Sequence, residues 1–88
     1  MTAVYTIEYE ASAVKALSKL DHITAVRIKT VVDALSRNPR PSGVKKLMGS
    51  DNWRVRVGDY RVIYSIHDST LTILIIKIGH RREIYHER

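Results

Sequence analysis

The sequence contains no cysteine. Without a thiol, a disulfide framework, a cysteine nucleophile and a cysteine-ligated zinc site are all excluded. The first residues lack the basic start and apolar stretch of a signal peptide. The apolar run from Leu71 to Ile76 is interrupted by Thr72 and is far too short to cross a bilayer. We therefore expect a soluble, cytoplasmic protein with no membrane association.

Patterns that mark several classes of enzyme are also missing. No group of residues has the spacing of metal ligands, and no glycine-rich loop precedes a helix. Ser65 and Ser69 have no evident histidine and aspartate partners, and His67 has no obvious partner. His80, at the end of a buried strand, is interpreted as a structural residue rather than a general base. We expect neither a metal nor another cofactor.

The chain is short and basic. Its 88 residues predict a single domain spanning residues 1–88. Lys and Arg number 15 against 9 Asp and Glu, which gives a net charge of +6. The second half, residues 44–88, holds nine of those cations and five of the acids, a net of +4. This imbalance indicates a polyanionic partner, either a nucleic acid or an acidic protein segment, although solubility alone is an alternative.

Periodicity in the first half predicts one strand and two helices. Residues 4–9 alternate and are rich in β-branched and aromatic side chains, which is typical of a strand. From Ala11 the apolar residues recur at helical spacing. Asp21 is a suitable N-cap for a second helix from about His22 to Arg37. Its buried face is expected to consist of Ile28, Val31, Val32 and Leu35.

Three further strands are predicted in the second half. Residues 53–57 and 60–66 flank the two-residue turn Gly58-Asp59, which has glycine at its first central position. Residues 71–78 form a nearly continuous apolar run, typical of a central strand buried on both faces. The fold class is therefore α+β, in the order β-α-α-β-β-β. We expect a small, mainly antiparallel four-stranded sheet with the N-terminal helical hairpin packed on one face.

The short turn brings arginines together. It pairs Val57 with Tyr60 and hence Arg56 with Arg61. Because side chains alternate along a strand, Arg54, Arg56 and Arg61 share the face opposite the apolar residues. Two like charges roughly 6 Å apart repel by about 3 kcal/mol at an effective dielectric near 20. A solvated basic surface is one interpretation, but a site where phosphate relieves the repulsion is favoured.

The C-terminal run, residues 79–88, places basic groups around Tyr85. Arginine can bind phosphate, and tyrosine can stack on an unpaired base. Alternatively, the run is a fraying tail, or Tyr85 anchors that tail to the core. By itself, this segment does not distinguish among RNA binding, a fraying tail and a tail that Tyr85 anchors to the core.

Three segments together resemble the RelE/ParE toxin superfamily, on its RelE side. They are Lys45-Lys46-Leu47, Trp53 to Tyr64 (WRVRVGDYRVIY) and Ile78 to Tyr85 (IGHRREIY). The resemblance spans essentially the whole chain. It implies a toxin of a type II toxin–antitoxin module that enters the A site of the 70S ribosome and cleaves mRNA without a metal. In such cleavage the 2′-OH of the RNA attacks, leaving a 2′,3′-cyclic phosphate and a 5′-OH.

The resemblance also implies roles for single residues. Arg54 and Arg56 would hold the phosphate and help deprotonate the 2′-OH. Arg61 would stabilise the charge on the phosphorane. Arg81 would neutralise or protonate the leaving 5′-oxygen, and Tyr85 would stack on a base and help orient the nucleophile. The residues expected to grip ribosomal RNA or the mRNA backbone are Lys45, Lys46 and Arg82.

Well-studied RelE enzymes have lysines where this chain has Arg54 and Arg56. Because arginine is always protonated, it is a poor base and a good charge clamp. Two alternatives stay open: a ParE-like toxin that inhibits DNA gyrase, and a weakly catalytic member that binds its antitoxin as a co-repressor. The expected partner is a RelB-like antitoxin, acidic and partly disordered, whose amphipathic helix lies against the toxin's helices and sheet.

Overall fold

The predicted succession of strands and helices is present in the structure. The structure, a computed structural model, describes residues 4–80. The strands are β1 (Thr6–Tyr9), β2 (Lys45–Lys46), β3 (Asn52–Val57), β4 (Tyr60–His67) and β5 (Thr72–His80). The helices are α1 (Ala11–Ser18) and α2 (His22–Leu35). Arg81, Arg82 and Tyr85, which the sequence singles out, lie outside the described residues.

The second helix begins where the sequence predicts and ends two residues early. The backbone N–H of Thr24 donates to Asp21 Oδ2 at 3.0 Å, so Asp21 is the N-cap. Ser36 is the C-cap, and its hydroxyl donates to the carbonyl of Asp33 at 2.6 Å. Pro39 disfavours helix at the residue before it, so the chain turns away here. Neither helix within residues 4–80 is long and apolar enough to span a membrane.

The sheet has five strands rather than the four expected, in the order β1-β5-β4-β3-β2. The additional strand, β2, consists of two lysines and is too short to show alternation in the sequence. β1 pairs with β5 in parallel, and every other neighbouring pair is antiparallel. The helical hairpin connects β1 at one edge of the sheet to β2 at the other and so covers one face.

The core lies between that face and the helices. Ile28, Val32 and Leu35 of α2 are buried as predicted, whereas Val31 is only half-buried. The sheet contributes a matching set of buried side chains: Val55, Val57, Val62, Tyr64, Ile73, Ile75 and Ile78. β5 is an interior strand, as expected. It is not fully buried on both faces, because its second face carries half-buried residues such as Leu74 and Lys77.

The hairpin of β3 and β4 has the predicted register. Val57 pairs with Tyr60, Arg56 with Arg61 and Val55 with Val62. Gly58 has a φ of +60°, and Asp59 has no positive φ, which fits a turn with glycine at its first central position. This register fixes which side chains meet on each face of the sheet.

Candidate functional site

The face of the sheet opposite the helices carries an array of basic side chains, which we call the open face. Residues paired directly across neighbouring strands point to the same side. One row of paired positions crosses β2, β3, β4 and β5 and consists of Lys45, Arg54, Ile63 and Lys77. Three inter-strand spacings of about 4.8 Å make this row about 14 Å long.

A second row lies two residues further along each strand, at about 7 Å from the first. It consists of Arg56, Arg61 and Gly79. Val57 and Tyr60 flank the turn as a hydrogen-bonded pair, so Arg56 and Arg61 form the closer type of pair, with Cα atoms about 4.5 Å apart. Gly79 presents no side chain and is buried, so the row ends there without a charge.

Exposure differs among the three arginines. Arg56 is exposed, Arg54 is half-buried, and Arg61 is only 4% exposed. Within residues 4–80, neither Arg54 nor Arg56 makes a salt bridge, whereas Arg40 forms one with Asp68. The register therefore places the three arginines on one face, but a ligand reaches Arg61 only after neighbouring groups move aside.

Among residues 4–80, the positive charge of the open face ends abruptly along the strands. The next row, in the direction away from the turn, consists of Asn52, Ser65, Leu74 and Glu8. It contains no cation and ends in a carboxylate on β1. Toward the turn, the hairpin closes at Gly58 and the acidic Asp59. The basic array is thus long across the strands and short along them.

Comparison with known proteins assigns this fold. A family model described as "ParE toxin of type II toxin-antitoxin system, parDE" matches residues 7–85. The chain belongs to this toxin family. The toxin RelG of Mycobacterium tuberculosis is 33% identical over 85 residues, which cover 92% of this chain and 95% of RelG.

Toxin chains in solved structures of toxin–antitoxin complexes have the same fold. The toxin resembles the archaeal RelE–RelB complex from Pyrococcus horikoshii OT3 with a TM-score of 0.80 and 36% identity, over 89% of this chain and 96% of that one. It resembles the complex RelBE2 from Mycobacterium tuberculosis with a TM-score of 0.82 and 27% identity, over 92% and 95% of the two chains. The predicted RelE/ParE resemblance is therefore confirmed.

Two predicted RNA-binding lysines of the toxin lie on opposite faces. Lys45 pairs with Arg54 on the open face, whereas Lys46 pairs with Trp53 on the face that the helices cover. Lys46 lines a cavity of about 300 Å³ together with Arg40 and Trp53. Strand alternation separates the two neighbours, so only Lys45 extends the arginine rows.

The structure adds Lys77 to the array, which the sequence analysis did not select. Lys77 stands opposite Ile63 and is the one charged residue in the apolar run of β5. A charge that interrupts an otherwise apolar strand is a signal available in the sequence. Its alignment with Arg54 depends on the register of two strand pairs and is visible only in the fold.

His67 and His80 of the toxin lie outside the two arginine rows of the open face. His80 pairs with Tyr60 on the helix-covered face, and the two rings meet edge to face with centroids 5.5 Å apart and planes at 82°. This contact supports the structural interpretation of His80. The prediction that His67 has no partner was wrong, because His67 Nε2 lies 2.9 Å from Ser65 Oγ. Residues two apart on a strand share a face, which could have indicated this pair.

No three histidine or acidic side chains in the part of the toxin that the structure describes lie close enough together to hold a metal ion. The hydroxyl of Tyr64, at the centre of the core, donates to the carbonyl of Pro39 at 2.7 Å. Burial raises the pKa of this hydroxyl to about 12. Tyr64 thereby ties the loop after α2 to the sheet and plays no part in the open face.

Proposed function

We propose that this toxin is a ribosome-dependent, metal-independent endoribonuclease that cleaves mRNA and so inhibits translation. The 2′-OH of a nucleotide attacks the adjacent phosphorus, the bond from phosphorus to the 5′-oxygen breaks, and a 2′,3′-cyclic phosphate and a 5′-OH result. The observation that carries the proposal is the double row of cations on the open face. A phosphodiester that gains charge in the transition state is stabilised by such preorganised donors.

The proposed roles follow from charge and position. Arg56, which is exposed, and Arg54 bind the scissile phosphate through bidentate hydrogen bonds. Arg61 is almost fully buried and adds positive charge near the phosphate. Its low exposure makes its electric field stronger than it would be in water. Arginine stays protonated, so these residues act as a clamp and not as bases. Arg81 neutralises the developing charge on the leaving 5′-oxygen, to which water passes the proton lost by the 2′-OH, and Tyr85 stacks on a base.

Primer extension on a translated message tests the activity after induction of the toxin alone. We expect discrete cuts within codons in the wild type. Arg56→Ala should lower the cleavage rate by about 10²–10³, because removing one preorganised donor has this effect in other enzymes. Lys29→Ala, an exposed lysine on α2, is the matched control and should cleave normally. Equal cleavage by wild type and Arg56→Ala would contradict the assignment of this residue.

A second candidate function is inhibition of DNA gyrase, which the match to the ParE family model favours. Such a toxin acts by binding and does not need the arginine rows. Induction would then cause DNA damage while the mRNA stays intact. A weakly catalytic co-repressor, the remaining alternative, would leave both growth and mRNA unaffected.

We also propose that the toxin is neutralised by a RelB-like antitoxin with an acidic, amphipathic helix. The similar proteins from Pyrococcus horikoshii OT3 and Mycobacterium tuberculosis were solved as toxin–antitoxin complexes. The net charge of +6 suits an acidic partner. A groove of about 490 Å³ between α1 and α2, lined by Val14, Leu17, Ala25 and Lys29 among others, offers apolar contacts to a helix. Failure of the protein encoded next to the toxin gene to copurify with it would contradict this proposal.

A further inference from the structure

The shape of the basic array restricts how a strand of RNA can lie on the open face. The first row, Lys45, Arg54, Ile63 and Lys77, extends for about 14 Å across four strands. In the perpendicular direction, the open-face cations of residues 4–80 occupy two rows about 7 Å apart. A polyanion that follows the β-strands leaves the cations after two rows and meets a row that has no cation and ends in the carboxylate of Glu8.

From this geometry we infer that a bound RNA strand crosses the sheet at right angles to the β-strands, from Lys45 to Lys77, and that Lys77 binds a phosphate flanking the scissile one. This inference rests on the proposed function, because it concerns the substrate of the same site. The row is several nucleotides long at a stacked rise of about 3.4 Å per phosphate. The two lysines at its ends therefore contact phosphates beyond those held by Arg54 and Arg56.

Ile63 gives the row a second property. It is half-buried and separates Arg54 on β3 from Lys77 on β5. An apolar side chain between two cations offers no hydrogen bond to a phosphate, but it can contact the face of a base or a ribose. The first row thus combines three cations with one apolar position, as expected for a surface that binds a single strand without reading a duplex groove.

The test measures binding of RNA rather than cleavage. Two RNA oligonucleotides are used, one of nine and one of two nucleotides, and both carry 2′-O-methyl groups so that the attacking hydroxyl is absent. Their affinities for the toxin are measured by fluorescence anisotropy over a range of salt concentrations. For a single strand, each phosphate contact contributes about 0.7 to the slope of log K against log salt. This slope counts contacts and does not respond to a small loss of stability.

We expect Lys77→Met to lower affinity for the nine-nucleotide RNA about fivefold at 0.1 M salt and to reduce the slope by about 0.7. Methionine keeps the length of the side chain and its packing against β4, so folding is preserved. Lys77→Arg should have the affinity and the salt slope of the wild type. The two-nucleotide RNA, which is too short to reach from the arginines to the end of the row, should bind both variants as it binds the wild type.

Two controls test the direction of the strand. Lys45→Met, at the other end of the row, should behave as Lys77→Met does. Glu8→Gln, in the row without cations, should leave the binding of the nine-nucleotide RNA unchanged. If the RNA instead followed the β-strands, Glu8→Gln would strengthen binding and Lys77→Met would leave the slope as in the wild type, which would overturn the inference.

The remaining outcomes separate this inference from the proposed function. Binding that depends on Lys77, with no cuts in a translated message, would leave the RNA path in place and reject the nuclease. Cuts in the message, with a wild-type slope for Lys77→Met, would retain the nuclease and reject the RNA path. Failure of the wild type to bind the nine-nucleotide RNA would also overturn the inference.

Discussion

Asp68 shows how a single exposed residue links three segments of the toxin. Its carboxylate accepts hydrogen bonds from Arg40 Nη2 at 3.0 Å and from the hydroxyl of Tyr5 at 2.5 Å. The Arg40 guanidinium also lies 5.4 Å from the centroid of the Trp53 ring. These contacts join the start of β1, the loop after α2 and the turn between β4 and β5. The hydrogen bonds from Arg40 and then Tyr5 hold the pKa of Asp68 below its ordinary value of 3.8.

The lowered pKa of Asp68 predicts that the stability of the toxin depends on pH. A carboxyl with a lower pKa in the folded state adds stability above its unfolded pKa, and that stability is lost as the pH falls through the folded pKa. Asp68→Asn should therefore destabilise the toxin at pH 7, and the difference from the wild type should shrink as the pH falls below 3.8. Urea unfolding midpoints at several pH values measure this. Asp51→Asn, which removes a similarly exposed acid, is the control; a difference from the wild type that stays constant as the pH falls would contradict the prediction.

At the scale of elements, the hairpin of β3 and β4 positions the arginine pair. Its turn requires Gly58, whose φ of +60° is unfavourable for a residue with a side chain. A Cβ at this position would meet only Arg27 Nη2, at 4.0 Å, so the cost of a substitution lies in the backbone and not in a clash. A change of turn geometry would alter the pairing of Arg56 with Arg61 on the open face.

Gly58→Ala should lower the free energy of unfolding by about 1–2 kcal/mol, the usual cost of left-handed backbone for an L-residue. The cleavage rate of Gly58→Ala should fall by more than its reduced stability explains, because the turn sets the pairing of Arg56 with Arg61. Gly43→Ala is the matched control, since Gly43 has a φ of +95° and open space around it but lies in the loop before β2. Denaturant unfolding and cleavage assays on both variants measure this. Equal activity of the two variants at equal stability would contradict the role of the turn.

At the scale of the whole molecule, the toxin has a basic surface and an apolar groove on opposite sides of the sheet. The basic array lies on the open face of the sheet, whereas the apolar groove lies between the helices that cover the other face. The core between them is small, because an 88-residue chain buries only about 60–65% of its unfolded surface. A partner that binds only the folded toxin should therefore change its stability measurably.

The antitoxin should raise the melting temperature of the toxin. At a free antitoxin concentration of 100 times Kd, linkage contributes about 2.7 kcal/mol. A domain of this size gains about 4–8 °C per kcal/mol, so we expect an increase of roughly 10–20 °C. Differential scanning fluorimetry with increasing antitoxin measures it, and an antitoxin in which the acidic residues are replaced by neutral ones is the control. An unchanged melting temperature would show that the two proteins do not associate.

Much of this architecture could be predicted because it depends on neighbours in the chain. Helical spacing and the cap at Asp21 predicted α2, and the Gly58-Asp59 turn predicted the pairing of Arg56 with Arg61. The end of α2 was misplaced by two residues, since the last turn depends on the local bonds of Ser36. The expected count of four strands was wrong, because β2 exists only through its pairing with β3.

By itself, the sequence determined the order of elements, the apolar face of each and the common side of the three arginines, because periodicity and turn type act over a few residues. Only the tertiary structure decided that β1 runs parallel to β5, that Lys77 continues the row of Lys45 and Arg54, and that Arg61 is 4% exposed. Those features depend on pairing and burial between residues far apart in the chain, and no local pattern encodes them.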